Sequence, residues 1–195
     1  KNAEPSEYEF TFNNINGQAK YKYLLMERDK ADNIHQGFSN EDVVYLIFPD
    51  RFINGDTSND YLFNDKDEFE FGSLNGRHGG DIQGMINSLD YLQELGITAI
   101  WSTPVLENNM YMSYHGYAAT DLYKVDPRQG TNDLYNKFVN EAHKRGLKVI
   151  YDHVANHIGI NHPWSTNPPT ETWFNGKPGN HLEANHDKVG IVDIH

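Results

Sequence analysis

The chain has 195 residues, a formal net charge of −12, 37% hydrophobic residues and no cysteine. Disulfides, thiol catalysis and Cys-ligated zinc are therefore excluded, and no run approaches the roughly 20 apolar residues of a membrane-spanning helix. The basic residues are scattered, which disfavours a nucleic-acid partner, because such affinity rests on clustered cations releasing counterions; a neutral or cationic ligand fits better.

Residues 8–12, Tyr-Glu-Phe-Thr-Phe, alternate like a half-buried strand, and Tyr21-Lys22-Tyr23-Leu24-Leu25-Met26 reads as its hairpin partner. Two strands alone are marginal, so the pair is expected to be the end of an N-terminal β-sandwich over residues 1–30, with a polar linker at 31–40. From residue 41 the rhythm changes. Val43-Val44-Tyr45-Leu46-Ile47-Phe48 is a continuous apolar run, the pattern of a strand covered on both faces. Ile82, Met85, Ile86, Leu89 and Leu92 recur at helical spacing, and Gly96 closes that helix. Residues 97–101 form a second buried strand. Thr131 caps a second helix carrying Tyr135, Phe138, Val139 and Ala142 on one face. It ends in His143-Lys144-Arg145-Gly146, cations and then glycine, as the helix dipole favours. Residues 147–151 form a third strand that runs into Asp152.

Strand, helix, strand, helix, strand is a parallel α/β pattern. A doubly wound sheet and a (β/α)8 barrel both produce it. The loops after the strands are long, polar and rich in Asn, Asp, His and Tyr, as at the strand C-terminal ends of barrels. After the first strand stands Pro49-Asp50-Arg51-Phe52 rather than a Gly-rich phosphate turn. The expected fold is therefore the first part of a (β/α)8 TIM barrel, with three of its strands in residues 41–195.

Three clusters carry chemistry. Asn54-Gly55-Asp56-Thr57-Ser58-Asn59-Asp60, followed by Gly79-Gly80-Asp81, gathers oxygen ligands of the kind hard cations take, without EF-hand spacing. Turn chemistry, with Asp81 as a helix N-cap, explains the same residues. His153 and His157 stand at i, i+4, but Val154 occupies the place of the general-base Glu and the pair lies at a strand end, which argues against catalytic zinc. Tyr111, Tyr114, His115, Gly116 and Tyr117 follow the second strand. They suit either sugar stacking or loop packing.

Asp152-x-x-x-Asn156-His157 after Gly146-Leu147-Lys148-Val149-Ile150 resembles the first conserved region of the α-amylase superfamily, glycoside hydrolase family 13. His115-Gly116-Tyr117-x-x-x-Asp121 with Asp126-Pro127-Arg128-x-Gly130-Thr131 is similar to that family's segment after strand two. Phe48-Pro49-Asp50-Arg51-Phe52-x-Asn54-Gly55-Asp56 and His78-Gly79-Gly80-Asp81 resemble its neopullulanase and cyclomaltodextrinase branch. The likeness runs almost throughout residues 41–157. It implies calcium held by Asn54, Asp56, Asn59, Asp60, the Gly79 carbonyl and Asp81. It also implies Tyr117 stacked on a sugar at subsite −1, His115 and His157 bonding its hydroxyls, and Asp152, Asn156 and Asp121 as supports. His153 and Gln129 depart from the family pattern, at neither a metal nor a sugar position.

The resemblance further implies a retaining hydrolase of maltooligosaccharides, cyclodextrins, pullulan or starch, with no nucleic-acid or membrane partner. A homodimer and a periplasmic or extracellular location are expected of the parent enzyme, a cytoplasmic one being left open. Retention needs two carboxyls roughly 5 Å apart across the scissile bond, after strands four and five, with a further Asp after strand seven. Glu171-Thr172-Trp173 and Asn185-His186-Asp187 imitate those regions but stand within about 30 residues of strand three, too soon when each βα unit takes some 30. They read as surface loop, as do His181 and His195. The expectation is a hydrolase fragment without its catalytic carboxylates. A non-catalytic carbohydrate-binding half-domain and a metal hydrolase built on His153 and His157 are the competing readings.

Overall fold

The computed structural model describes residues 3–27, 37–61, 72–175 and 191–193. Asn185-His186-Asp187, His181, His195 and most of the expected linker lie outside them. Residue contacts divide the chain into Lys1–Gly37 and Phe38–His195.

The first unit is a hairpin of β1 (Ser6–Asn14) and β2 (Gly17–Leu25), paired antiparallel with Tyr8 opposite Tyr23 and Phe10 opposite Tyr21. Alternation sorts its faces. Tyr8, Phe10, Phe12, Tyr21 and Tyr23 share one, while the other carries the Glu7–Lys22 and Glu9–Lys20 ion pairs, both at 2.7 Å. Those exposed pairs contribute little to stability. Phe10 and Phe12 remain 49% and 63% exposed, so the apolar face is not a core within this unit.

The second unit is built on a parallel sheet of β3 (Val44–Ile47), β4 (Ala99–Ser102) and β5 (Lys148–Ile150), in sequence order. The apolar repeat at residues 82–92 forms two helices, α1 (Ile82–Asn87) and α2 (Leu89–Glu94). The break falls at Ser88, whose hydroxyl donates back to the Gly84 carbonyl at 2.8 Å and whose amide bonds Met85, three residues back. Such back-bonding bends helices, and no hydrophobic period reveals it. Gly96 takes φ +85°, ending α2. The third helix, α3 (Asn132–Lys144), starts as expected: the Thr131 hydroxyl accepts the Leu134 amide. A short antiparallel pair, β6 (His157–Gly159) with β7 (Ile191–Asp193), follows β5.

Ile47, Ile100, Met85, Leu89, Leu92 and Phe138 form the centre of the core between one sheet face and the helices. The other face does not match the expectation of strands covered on both sides. Val44, Leu46 and Trp101 are 42%, 54% and 38% exposed. This is the inward face of a barrel, which fills only when further strands close around it.

At the opposite end of the strands from the long loops, Asp42 ties all three together. It accepts Lys148 Nζ at 2.8 Å, Thr98 Oγ1 at 2.9 Å and the Ser39 amide at 2.7 Å. The Lys148 hydrogen bond, then the Ser39 amide and Thr98, hold the Asp42 pKa at about 2. A carboxyl depressed on folding stabilises the fold above its unfolded pKa and loses that contribution as pH falls through the folded value. An Asp42→Asn variant should therefore melt below wild type at pH 6, with the difference shrinking between pH 4 and pH 2. Thermal unfolding across that range reads this directly, and a gap that persists at pH 2 would remove the electrostatic origin.

Candidate functional site

The loops at the C-terminal ends of β3, β4 and β5 have no sheet to pair their amides, and buried carboxylates do so instead. Asp50, 4% exposed, follows β3 and accepts the His78 amide on both oxygens at 3.0 Å and the Gly79 amide at 3.4 Å. Its carbonyl takes the Gly80 amide, and a Cβ on Gly80 would sit 1.9 Å from the Pro49 oxygen. Only glycine permits that approach. Asp50 also pairs with Arg51, whose guanidinium lies 4.1 Å from the Tyr114 ring centroid.

Asp81 is fully buried and is the N-cap of α1, accepting the Gly84 amide at 2.6 Å. It also collects the amides of Gly55 at 3.1 Å and Asp56 at 2.8 Å and the Asn59 side chain at 3.4 Å. The turn-chemistry reading of Asp81 thus holds, whether or not a cation adds to it. Asn54 Nδ2 spans both Asp60 oxygens at 2.9 and 3.0 Å, and Asp56 accepts the Ser58 amide and hydroxyl. What these bonds leave over is informative. The side-chain oxygens of Asn54 and Asn59 are buried without a partner. Burial, followed by the charges of Asp81 and Asp56, raises the Asp60 pKa against the opposing Asn54 bond. Orphaned acceptors beside mutually repelling carboxylates form an oxygen-only donor set of the kind that suits calcium. Among the described residues no three His, Asp or Glu side chains converge to hold an ion unaided, so amide and backbone oxygens would have to complete the set.

After β4, residues 106–125 fold back on themselves through the Leu106–Val125 bridge. The interior of this loop is polar. Asp126, fully buried, receives Arg128 through Nε and Nη2, both at 2.8 Å, and the Asn108 amide at 2.9 Å. Burial opposes its charge, but the Arg128 hydrogen bonds and charge, with that of Arg77, outweigh it and keep the carboxyl below its ordinary pKa. Asn108 accepts the Ala118 amide at 2.9 Å and the Ser113 hydroxyl on its side chain. Its carbonyl takes Arg77 Nη2 and Arg128 Nη2, each at 2.9 Å.

This frame presents His115 and Tyr117. Their rings lie 5.9 Å apart at 26°, and His115 Nδ1 accepts the Tyr117 amide at 3.0 Å. His115 is therefore neutral with its proton on Nε2, and burial, the Arg77 charge and His157 all lower its pKa. Gly116 between them takes φ +88°, with the Pro104 oxygen 2.1 Å from any Cβ. Tyr117 Oη donates to Asp152 Oδ2 at 3.0 Å, where Trp101 Nε1 also donates at 3.0 Å. Burial, then the Asp152 bond and charge, push the Tyr117 pKa up to about 12.

His157, expected to bond a sugar hydroxyl, lies against the Tyr117 backbone. Its Nε2 bonds the Tyr117 carbonyl at 2.8 Å and its Nδ1 receives Asn156 Nδ2 at 3.1 Å. Both nitrogens are engaged within the protein, so His157 buttresses Tyr117. A bond to a sugar hydroxyl would require giving one of these up. Asp121 accepts the Tyr123 amide at 2.7 Å and shapes the following turn. His153 stacks on Tyr151 with ring centroids 6.3 Å apart, and among the described residues no three metal-ligating side chains gather around it or His157. Gln129 is 4% exposed with Oε1 unpartnered. Trp173, read as surface loop, is half-buried and packs edge-on to Trp164 at 5.5 Å, both lining a cleft of about 260 Å³ with Leu106, Gly116, Tyr151 and Asp152. Sequence reasoning passed over Trp101, Asn108 and Arg77 because none stands in a spaced motif with its partner.

A family model of the alpha-amylase catalytic domain matches residues 46–181. Neopullulanase 2 of Thermoactinomyces vulgaris is 41% identical over 148 residues, 71% of this chain and 23% of that protein. The cyclomaltodextrinase of Thermoanaerobacter pseudethanolicus is 43% identical over 122 residues, 63% of this chain and 21% of its own. The crystal structure of an Anoxybacillus alpha-amylase superposes with a TM-score of 0.67 at 40% identity, covering 80% of this chain and 34% of that one. The chain spans between 10% and 25% of the length of the curated relatives it matches.

The buried pair gives a stability test. Arg128→Met leaves Asp126 charged and unneutralised at its own position, and breaking a buried pair this way costs about 3–5 kcal/mol. Urea unfolding of the variant should show that loss; a change within experimental error would mean Arg77 alone satisfies Asp126.

Proposed function

This chain belongs to the α-amylase family, and from that premise we propose that it provides the sugar-binding wall and a calcium-holding loop of a retaining α-glucan hydrolase. Maltooligosaccharides, cyclodextrins, pullulan or starch are the proposed substrates of the whole protein. The observation that carries this reading is the Tyr117 ring, held at three points beside strand ends: hydroxyl on Asp152, amide on His115, carbonyl on His157. An aromatic face fixed this way stacks on the apolar face of a pyranose with little ordering cost. His115 Nε2–H, whose Nδ1 is already satisfied, donates to a hydroxyl. Neutral glucan also suits a chain of net charge −12, which repels polyanions. The two carboxyls that flank the bond in retention are assigned to parts of the family's catalytic domain beyond these three strands.

Asn54, Asp56, Asn59, Asp60, the Gly79 carbonyl and Asp81 would hold the calcium ion. Bound there, it would neutralise the Asp56–Asp60–Asp81 cluster and give the Asn54 and Asn59 oxygens a partner. The loops after β3 and before α1 are then tied together by charge as well as by amides. Among the described residues no helix is long and apolar enough to cross a membrane. A periplasmic or extracellular site of action fits a hydrolase of polymeric glucan, which does not pass membranes.

Two measurements test these assignments. Titration of maltoheptaose into the chain, followed by NMR, should shift the signals of Tyr117, His115 and Trp101. Tyr117→Ala should weaken binding at least about tenfold, or 1.4 kcal/mol. Unchanged affinity in that variant would end the sugar assignment. For calcium, a hundredfold excess over Kd adds about 2.7 kcal/mol of stability, which EGTA should reverse. Asp60→Asn should melt higher than wild type in EGTA, because repulsion is relieved, and gain little from calcium. Equal calcium gains in both proteins would place the ion elsewhere.

A further inference from the structure

The cation loop and the sugar wall stand after different strands, and a contact of rings and one guanidinium runs between them. After β3 the chain makes one short helical turn, Pro49–Arg51. Within it the Asp50 carboxylate holds the His78 and Gly79 amides, and the Asp50 carbonyl holds that of Gly80. The segment leading to Asp81 is thus fixed from this turn. Arg51, the next residue, commits its edge to the same anchor: Nη1 pairs with Asp50, and Nη2 donates to the Leu74 carbonyl at 2.9 Å. That leaves its planar face, which lies 4.1 Å from the Tyr114 ring centroid. Phe48, just before the turn, stacks on Tyr114 at 5.7 Å and 30°. Tyr114 belongs to the loop after β4, and its ring meets His115 edge-on at 5.6 Å. His115 in turn stacks on Tyr117 and accepts its amide.

A guanidinium binds a carboxylate and a carbonyl along its edge while it stacks through its face, which an ammonium cannot do. Arg51 thereby joins an anchor of the cation loop to a ring that abuts the sugar wall. We propose that Arg51 and Tyr114 link the two sites, so that calcium in the cation loop and a glucan on Tyr117 each tighten the binding of the other. Without the ion, the charges of Asp81 and Asp56 act against that of Asp60. This repulsion favours a looser setting of residues 78–81, and with it of Asp50 and the Arg51 fork. An ion on the Gly79 carbonyl and Asp81 opposes the loosening, and the Arg51 face then holds Tyr114 against His115. A glucan stacked on Tyr117 favours the same setting from the other side, because coupling between two binding sites is reciprocal. Arg77 on the Asn108 carbonyl ties the same two segments near the start of the loop, a bond that does not pass through the ring contact.

This link rests on the calcium and sugar readings above, and each affinity is measured beside it, so the failures are distinguishable. In the full 195-residue chain, calorimetry should show maltoheptaose bound at least about fivefold more tightly in saturating calcium than in EGTA. Calcium affinity should rise by the same factor when maltoheptaose saturates. Tyr114→Leu leaves the Asp50–Arg51 pair intact and removes the ring face; it should bind the two ligands independently. Tyr114→Phe keeps the ring and should keep the coupling. NMR gives a readout without sugar: calcium should shift the His115 ring signals in wild type and Tyr114→Phe but not in Tyr114→Leu. A packing defect alone would weaken maltoheptaose binding in Tyr114→Leu equally with and without calcium, leaving the coupling unchanged. Two bound ligands without coupling in wild type, undiminished coupling in Tyr114→Leu, or its loss in Tyr114→Phe overturns the proposal. A wild type that does not bind maltoheptaose overturns the sugar reading, and the His115 shift on calcium then decides the link. A wild type that does not bind calcium overturns the calcium reading and the link together.

Discussion

Loops that leave the C-terminal ends of parallel strands must find partners for their amides without help from the sheet. In this chain that requirement is met by carboxylates withdrawn from water. Asp50 gathers the His78 and Gly79 amides, Asp81 those of Gly55, Asp56 and Gly84, and Asp126 those of Asn108 and Arg128. Each binds a stretch of chain distant in sequence to a strand end or helix start.

A buried carboxylate needs more than amides, since each carries a charge that burial penalises. The three solve this differently. Asp126 takes a bidentate guanidinium and Asp50 takes Arg51. Among the described residues Asp81 has neither, and the charges of Asp81 and Asp56 act on Asp60 beside it. The unpartnered oxygens of Asn54 and Asn59 mark the same deficit from the side of hydrogen bonding. Charge and acceptor count together support the proposal of a hard cation at this loop.

The proposed sugar wall follows from the same logic. Tyr117 is held by hydroxyl, amide and carbonyl, each through a different partner. Glycine at 116 lets the chain pass against the Pro104 carbonyl, so the His115 and Tyr117 rings can come nearly parallel. Asp152 at the end of β5 receives both Tyr117 and Trp101, linking the loop after β4 to the strand beside it. His157, which the family resemblance implies as a sugar partner, bonds the Tyr117 carbonyl.

Much of the scaffold was legible in the residues themselves. Apolar runs located β3, β4 and β5 to within a residue or two, and Thr131 and Gly96 marked helix ends that the structure reproduces, because periodicity and capping act over one or two turns of chain. Motif spacing found Asp152, Tyr117 and the Asn54–Asp60 loop, and it pointed to the right family. The break at Ser88, the open inward face of Val44, Leu46 and Trp101, and the engagement of both His157 nitrogens were not legible. Neither was the convergence of Arg77 and Arg128, 51 positions apart, on the single Asn108 carbonyl. Hydrogen bonds between distant segments leave no period in the sequence, so the sequence by itself determined the elements and the family. Only the tertiary structure decided which polar side chains, far apart along the chain, face one another.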